Sequence, residues 1–168
     1  EEDTGKLLHA ERDTSFVDYN RSGVPLMEIV TEADIHSADE AREYLVALRR
    51  ILVYIGASDG RMEQGSLRCE PNISVRPAGT DEMNAKSELK NLNSFRVVQL
   101  GIQYETGRQG LAMQRERGVD FGLTATIPGQ PPMKVDLGDL KLTQETRRWD
   151  DAEMRTVSMR TKEYAHDY

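Results

Sequence analysis

The chain has 168 residues, with 29 acidic against 22 basic side chains and a formal net charge of -7. That balance argues against a protein that grips nucleic acid by bulk charge, while leaving local contact through arginines open. Cys69 is the only cysteine, which excludes a disulfide framework or a cysteine-based zinc site within the chain, and no apolar run reaches the length of a membrane span.

The length predicts one domain, with at most a small appendage. The start at Glu1 without Met, and the end at Tyr168 after a dense charged motif, are what a segment of a longer polypeptide would show. The composition suits the cytoplasm. Residues 1–22 read as polar and irregular, with a short strand expected around Ser15–Tyr19. The opening EEDTGK offers three carboxylates and a lysine; charged clusters of this kind are usually solvated. It is not a phosphate-binding loop of the Walker type, because no GxxxxGK[ST] occurs anywhere in the chain.

GVPLMEIV follows, and its apolar run predicts a buried strand from Pro25 to Val30. Glu28 is the one polar residue in LMEIV. On a strand it shares a face with Leu26 and Val30. A buried, unpaired carboxylate there costs on the order of several kcal/mol unless a cation or a metal offsets it. Glu28 is therefore either an edge-strand residue reaching solvent or an arginine, or a functional ligand.

SADEAREYLVALRRILVYIG predicts the clearest helix. Ser37 and Glu40 form a capping box. Ala41, Tyr44, Leu45, Leu48, Ile51, Leu52 and Ile55 make an apolar stripe at helical spacing, and Gly56 is a stop signal. After a turn-rich loop, SLRCEPNISVR alternates with a period of two. Leu67, Cys69, Pro71, Ile73 and Val75 fall on one side, and Ser66, Arg68, Glu70, Asn72, Ser74 and Arg76 on the other, as in a half-buried strand. AKSELKNLN, Ala85 to Asn93, is a second strand, expected antiparallel to the first. A second helix is expected from about Ser94 to Arg117, its continuity weakened by Gly101, Gly107 and Gly110. The Gly/Pro-rich stretch 118–140 reads as an inserted loop or flap. KLTQETRRWD and MRTVSMRTKEY read as two strands joined by a turn at Asp150–Glu153. Strands and helices without regular βαβ order give an α+β class with a largely antiparallel sheet.

The row Arg68, Glu70, Asn72, Ser74 and Arg76 gains Glu63 from the loop before it. Across the hairpin it gains Lys86, Glu88 and Lys90. Carboxylates able to hold a hard cation, beside basic groups, are what phosphoryl transfer requires. The same set also describes a lattice of surface ion pairs, which contributes little. Arg147, Arg148 and Arg160 are further candidates for phosphate contact. His166 is a lone histidine near the end of the chain, and no Ser–His–Asp or Cys–His arrangement has a usable spacing.

Taken in order, EEDTGK, DYNRSGVPLMEIV, SDGRMEQGSLRCEPNISVRP, SELKNLNSF, QETRRWD and MRTKEYAHDY resemble the signatures of the GatB family, the B subunits of aspartyl/glutamyl-tRNA amidotransferase, almost from end to end. The Gly/Pro-rich stretch 118–140 is longer than the family's usual linker. The resemblance implies a catalytic domain similar in fold to glutamine synthetase and the guanido kinases, with the family's helical and tail tRNA-binding domains lying outside the chain. It implies a carbon–nitrogen ligase, a glutaminyl-tRNA or asparaginyl-tRNA synthase that hydrolyses glutamine. ATP and Mg²⁺ would phosphorylate the side-chain carboxylate of Asp-tRNA(Asn) or Glu-tRNA(Gln). Ammonia from a partner amidase (the glutaminase of the GatCAB complex), assembled with a third, small polypeptide, would then displace phosphate. By the same resemblance Glu2 and Glu28 are metal ligands. Glu70 stands where the family usually has Asp, at a second, nucleotide-associated Mg²⁺. Arg68 and Lys90 join Glu28 and Glu70 as catalytic candidates, and Glu63, Asn72, Ser74 and Glu88 line the nucleotide site. A cytoplasmic or organellar setting away from membranes follows. Two other readings stand beside it: a non-catalytic scaffold for partners and tRNA, and a stand-alone Mg-nucleotide-binding ligase domain.

Overall fold

The computed structural model describes residues 1–9, 15–81, 83–118, 135 and 137–159. Arg160, His166 and most of the Gly/Pro-rich stretch 118–140 lie outside the described residues. The chain divides into two compact units, Glu1–Ile35 and His36–Tyr168.

In the first unit, β1 (Lys6–His9) pairs antiparallel with β2 (Ser15–Asp18). β2 lies where the sequence places it, whereas β1 falls in a stretch read as irregular. A single antiparallel bridge joins Glu2 to Pro25. Backbone bonds from Asp3 N–H to Val24 O (2.8 Å), Gly23 N–H to Asp3 O (2.9 Å) and Leu26 N–H to Glu1 O (2.9 Å) hold the two segments side by side. Pro25–Val30 is not the buried strand that its composition predicts. Beyond Leu26 no described backbone bond continues the pairing, and Met27 and Val30 are 64% and 79% exposed. Apolar composition fits a run for a strand, but only a neighbouring strand and a covering layer bury it.

The second unit begins with α1 (Ala38–Tyr54). Ser37 Oγ accepts the Glu40 N–H, and the Glu40 carboxylate accepts the His36 N–H, so the predicted cap forms with its return bond one residue earlier. The helix ends in a Schellman motif: Ala57 N–H donates to Leu52 O and Gly56 N–H to Val53 O, with Gly56 at φ 73°. Ala38, Ala41, Leu45 and Leu52 are buried, but Ile51 and Ile55 are not. The core therefore uses a narrower line than the predicted stripe.

β3 (Asn72–Ile73) and β4 (Ser87–Lys90) pair antiparallel, as expected, in the register Asn72↔Glu88 and Ile73↔Ser87. α2 (Phe95–Arg117), capped by Ser94, carries the chain across to β5 (Glu145–Asp150). β5 lies parallel to β4, so one parallel pair joined through a helix sits inside an otherwise antiparallel sheet. β6 (Arg155–Ser158) closes the order β3-β4-β5-β6. The class is α+β.

α2 runs unbroken through all three glycines. At Gly101 a Cβ would stand 3.2 Å from Leu92 and 3.3 Å from Leu89 side-chain carbons, so the missing side chain lets the helix approach the sheet. One face of the sheet is sealed against α2 by Ile73, Leu89, Trp149, Val97, Val98 and Tyr104. Trp149 and Tyr104 meet edge to face at 6.4 Å. Among the described residues, no helix is long and apolar enough to cross a membrane.

Candidate functional site

The opposite face of the sheet is open and polar. β4 alternates, with Ser87 and Leu89 inward and Glu88 and Lys90 outward. The parallel register sets Thr146 beside Glu88 and Arg148 beside Lys90. On the other flank Asn72 stands opposite Glu88. The alternation read in SLRCEPNISVR holds over residues 66–73. Ser66, Arg68, Glu70 and Asn72 are exposed, while Leu67, Cys69, Pro71 and Ile73 turn inward, although only Asn72–Ile73 makes a ladder.

Lys90 is the centre of this face. Its Nζ lies 3.1 Å from Glu70 Oε2 and 3.5 Å from Glu88 Oε1. Thr146 Oγ1 donates to the other Glu88 oxygen at 3.0 Å. Burial works against the lysine's charge, but the hydrogen bond and attraction to Glu70, with help from Glu88, outweigh it and raise the lysine pKa. Asn91, in the left-handed region at φ 64°, donates to Trp149 O at 3.0 Å and pins the end of β4 to β5. Behind the row, burial first and the Glu70 charge second push the Cys69 thiol up to about 11. That thiol is not a nucleophile at neutral pH.

The other sequence candidates are spread more widely. Glu63 sits exposed in the turn before the extended segment, and Arg68 is exposed along it. Ser74 lies past the end of β3, where its hydroxyl donates to Asn84 O at 2.8 Å. Glu2 and Glu28 belong to the first unit and are exposed; the burial that singled out Glu28 is not observed. Arg147 is corrected outright. It is buried against Glu145, Thr156 and Asp139 and offers nothing to an outside phosphate. Arg148 is exposed, 3.8 Å from Asp150.

Sequence reasoning missed Thr146, because the β4–β5 register leaves no mark in either strand alone. It also missed an interior network on α2. Glu105, Arg108 and Gln109 are fully buried. Their spacing from Val97, Gly101 and Tyr104 continues the core face of the helix, and that period was the signal available. Arg108 Nε donates to Glu105 at 2.9 Å, and its other nitrogens reach Asp139 O, Lys141 O and Ser87 Oγ. Thr156 Oγ1 donates to Glu105 Oε2 at 3.0 Å.

Hard cations such as Mg²⁺ take oxygen ligands. Glu70 and Glu88 in the second unit, and Glu2 and Glu28 in the first, are donors of the right kind. Among the described residues, however, no three Asp, Glu, His or Cys side chains converge into a metal-holding group. The open face is thus a paired-carboxylate surface bridged by a lysine ammonium.

The profile of the GatB/GatE catalytic domain family matches residues 1–168. The chain belongs to this family. It is 48% identical, over its whole length, to the B subunit of aspartyl/glutamyl-tRNA(Asn/Gln) amidotransferase from Brevibacillus brevis, of which it covers 30%. The B subunit from Caldanaerobacter subterraneus is 49% identical with 30% covered, and that from Trichodesmium erythraeum 48% with 31% covered. The chain therefore spans about a third of the length of the curated relatives it matches.

Proposed function

We propose that this chain is the carboxylate-activating part of the B subunit of a tRNA-dependent amidotransferase. The observation that carries the reading is the family match across the whole chain, at close to half identity, with subunits of that name. A free carboxylate is a poor acyl electrophile. Transfer of the ATP γ-phosphoryl group to the side-chain carboxylate of Asp-tRNA(Asn) or Glu-tRNA(Gln) releases ADP and installs a good leaving group. Ammonia then attacks the carbonyl carbon, phosphate departs with the carbon–oxygen bonding pair, and an amide remains. The ammonia comes from glutamine hydrolysed by a partner amidase, which is assembled with a third, small polypeptide.

In this reading the open sheet face holds the nucleotide. Lys90 stays protonated and supplies a fixed positive charge for phosphate oxygens. Asn72 and Arg68 donate, Glu88 orients Lys90, and Glu63 and Ser74 line the approach. By the family resemblance, Glu2 and Glu28 of the first unit would hold one Mg²⁺, and Glu70 of the second unit would hold another, associated with the nucleotide. Held by these carboxylates, Mg²⁺ would supply neutralisation of phosphate charge. A cytoplasmic or organellar setting, with translation, follows from the substrate.

The test uses the full-length protein in complex with its partners, Mg²⁺, charged tRNA and ammonium, which bypasses the glutaminase. ADP release that needs the charged tRNA and is lost in Glu28→Gln supports the reading. Release unaffected by that substitution moves the chemistry elsewhere and leaves this domain a scaffold. Release driven by free glutamate or aspartate would mark a small-acid ligase instead.

A further inference from the structure

Where the β3–β4 ladder stops, a side chain takes over. The register ends at Ile73↔Ser87. Two backbone groups at and just past that end are bonded by Gln109 of α2. Its Nε2 donates to Ile73 O at 3.0 Å, and its Oε1 accepts from Val75 N–H at 3.2 Å. Nε2 also donates to Glu105 Oε1 at 3.0 Å. The amide's orientation is fixed by chemistry: a carbonyl and a carboxylate only accept and a backbone N–H only donates, so the flipped amide would lose all three bonds. Gln109 is 1% exposed and Ile73 is buried, so Ile73 O has no water to replace it, while Val75 is half-buried.

Glu105, which holds the amide, is itself held by Arg108 and Thr156, and Arg108 reaches Ser87. The chain of bonds thus ties Ile73 of β3, and Val75 just past its end, to the same buried group that fixes β4 and β6. Asn72 precedes the clamped groups and Ser74 lies between them. Glu70, two residues before Asn72, meets Lys90 of β4.

We infer that Gln109 is a positioning residue for the open face: its side-chain amide acts as a surrogate strand that sets β3, and with it Asn72 and Glu70, against Lys90 and Glu88. The inference rests on the nucleotide reading of that face. A merely structural role would lower the amount of active enzyme and leave the affinity of the remainder intact. A positioning role changes how well the correctly folded enzyme holds ATP.

The full complex carrying Gln109→Met, which keeps the volume and removes all three bonds, is compared with wild type and with Lys90→Ala for ADP release. The expected result is a KM for ATP raised about tenfold or more, one bond's worth of lost binding or greater, with glutamine hydrolysis by the partner amidase unchanged. A kcat reduced with KM unchanged, or no change in either, overturns the inference while Lys90→Ala still impairs ADP release. If Lys90→Ala has no effect, the nucleotide reading of the face fails and the inference falls with it. Hydrogen exchange on the wild-type protein gives a second test that does not depend on the variant folding. Val75 N–H should exchange as slowly as Leu89 N–H of the ladder, and fast exchange at Val75 contradicts the clamp.

Discussion

The Lys90 ammonium lies 3.1 Å from the Glu70 carboxylate, across the gap between the extended segment and β4. Both groups are partly exposed, so the pair itself adds little stability. Its value is positional. Glu70→Asp keeps the charge, draws the carboxylate back by one methylene, and should be tolerated, with ADP release within about threefold of wild type. Glu70→Gln should leave the fold unchanged and cut ADP release by about tenfold or more, as expected where a charged group contacts substrate charge. Steady-state ADP release on the full complex separates the two, and complete loss in Glu70→Asp would show that the site has been rebuilt around Glu.

The buried Glu105–Arg108 pair predicts a localised acid sensitivity. Burial disfavours the Glu105 charge, but its bonds to Arg108 and Gln109 and the nearby Arg147 outweigh burial and hold its carboxyl below the ordinary 4.5. A depressed carboxylate contributes stability that is fully present above the unfolded value and is lost as pH falls through the folded one. Protection of α2 amides should therefore decline as pH falls below 4.5. Glu105→Gln should remove that acid limb and cost about 1–3 kcal/mol at neutral pH, because Arg108 and Arg147 lose one buried carboxylate partner but keep Glu145. Hydrogen exchange in the full-length protein reads both effects.

Much of this framework was legible in the sequence. The Ser37 cap, the Gly56 stop, both helices, the β3–β4 hairpin and the β5–β6 pair all carry local signals, and each is observed. What failed depended on neighbours distant in sequence. Pro25–Val30 has a strand's composition and, among the described residues, no strand alongside it beyond Leu26. Ile51 and Ile55 fit the helical stripe but stay exposed, 57% and 63%, with no facing layer among the described residues. Arg147 looked like a surface cation until β6 and α2 supplied Thr156 and Glu105. Of the site residues, Glu70, Glu88 and Lys90 come together because strand alternation determines their side. Glu63 sits in a turn and Ser74 past the end of β3, where alternation gives no direction.

Gly101→Ala pits two effects against each other. Alanine favours a helix over glycine by about 1 kcal/mol. The added methyl, though, would meet Leu92 and Leu89 at 3.2 and 3.3 Å, closer than ordinary contact. Overpacking of this kind costs about 1–3 kcal/mol. The expected net is a loss of about 1 kcal/mol, read as reduced exchange protection of α2. A stabilised variant would show that α2 does not rest on the sheet at this point.

Cys69 should be chemically quiet. Its thiol, raised to about 11, is protonated at neutral pH. Alkylation by iodoacetamide should be slow there and accelerate only as pH climbs toward that value, and Cys69→Ala should retain ADP release. Fast alkylation at neutral pH would contradict the burial behind the polar row.

The central claim is that this domain passes a phosphoryl group to the side-chain carboxylate of a charged tRNA. Heavy-isotope oxygen placed in that carboxylate tests it most directly. In the full complex, with ATP, Mg²⁺ and ammonium, one labelled oxygen should appear in the inorganic phosphate for each amide formed, and Lys90→Ala should abolish the transfer. Amide formation with unlabelled phosphate would contradict an acyl-phosphate route, and undiminished label transfer in Lys90→Ala would place that chemistry away from the open sheet face.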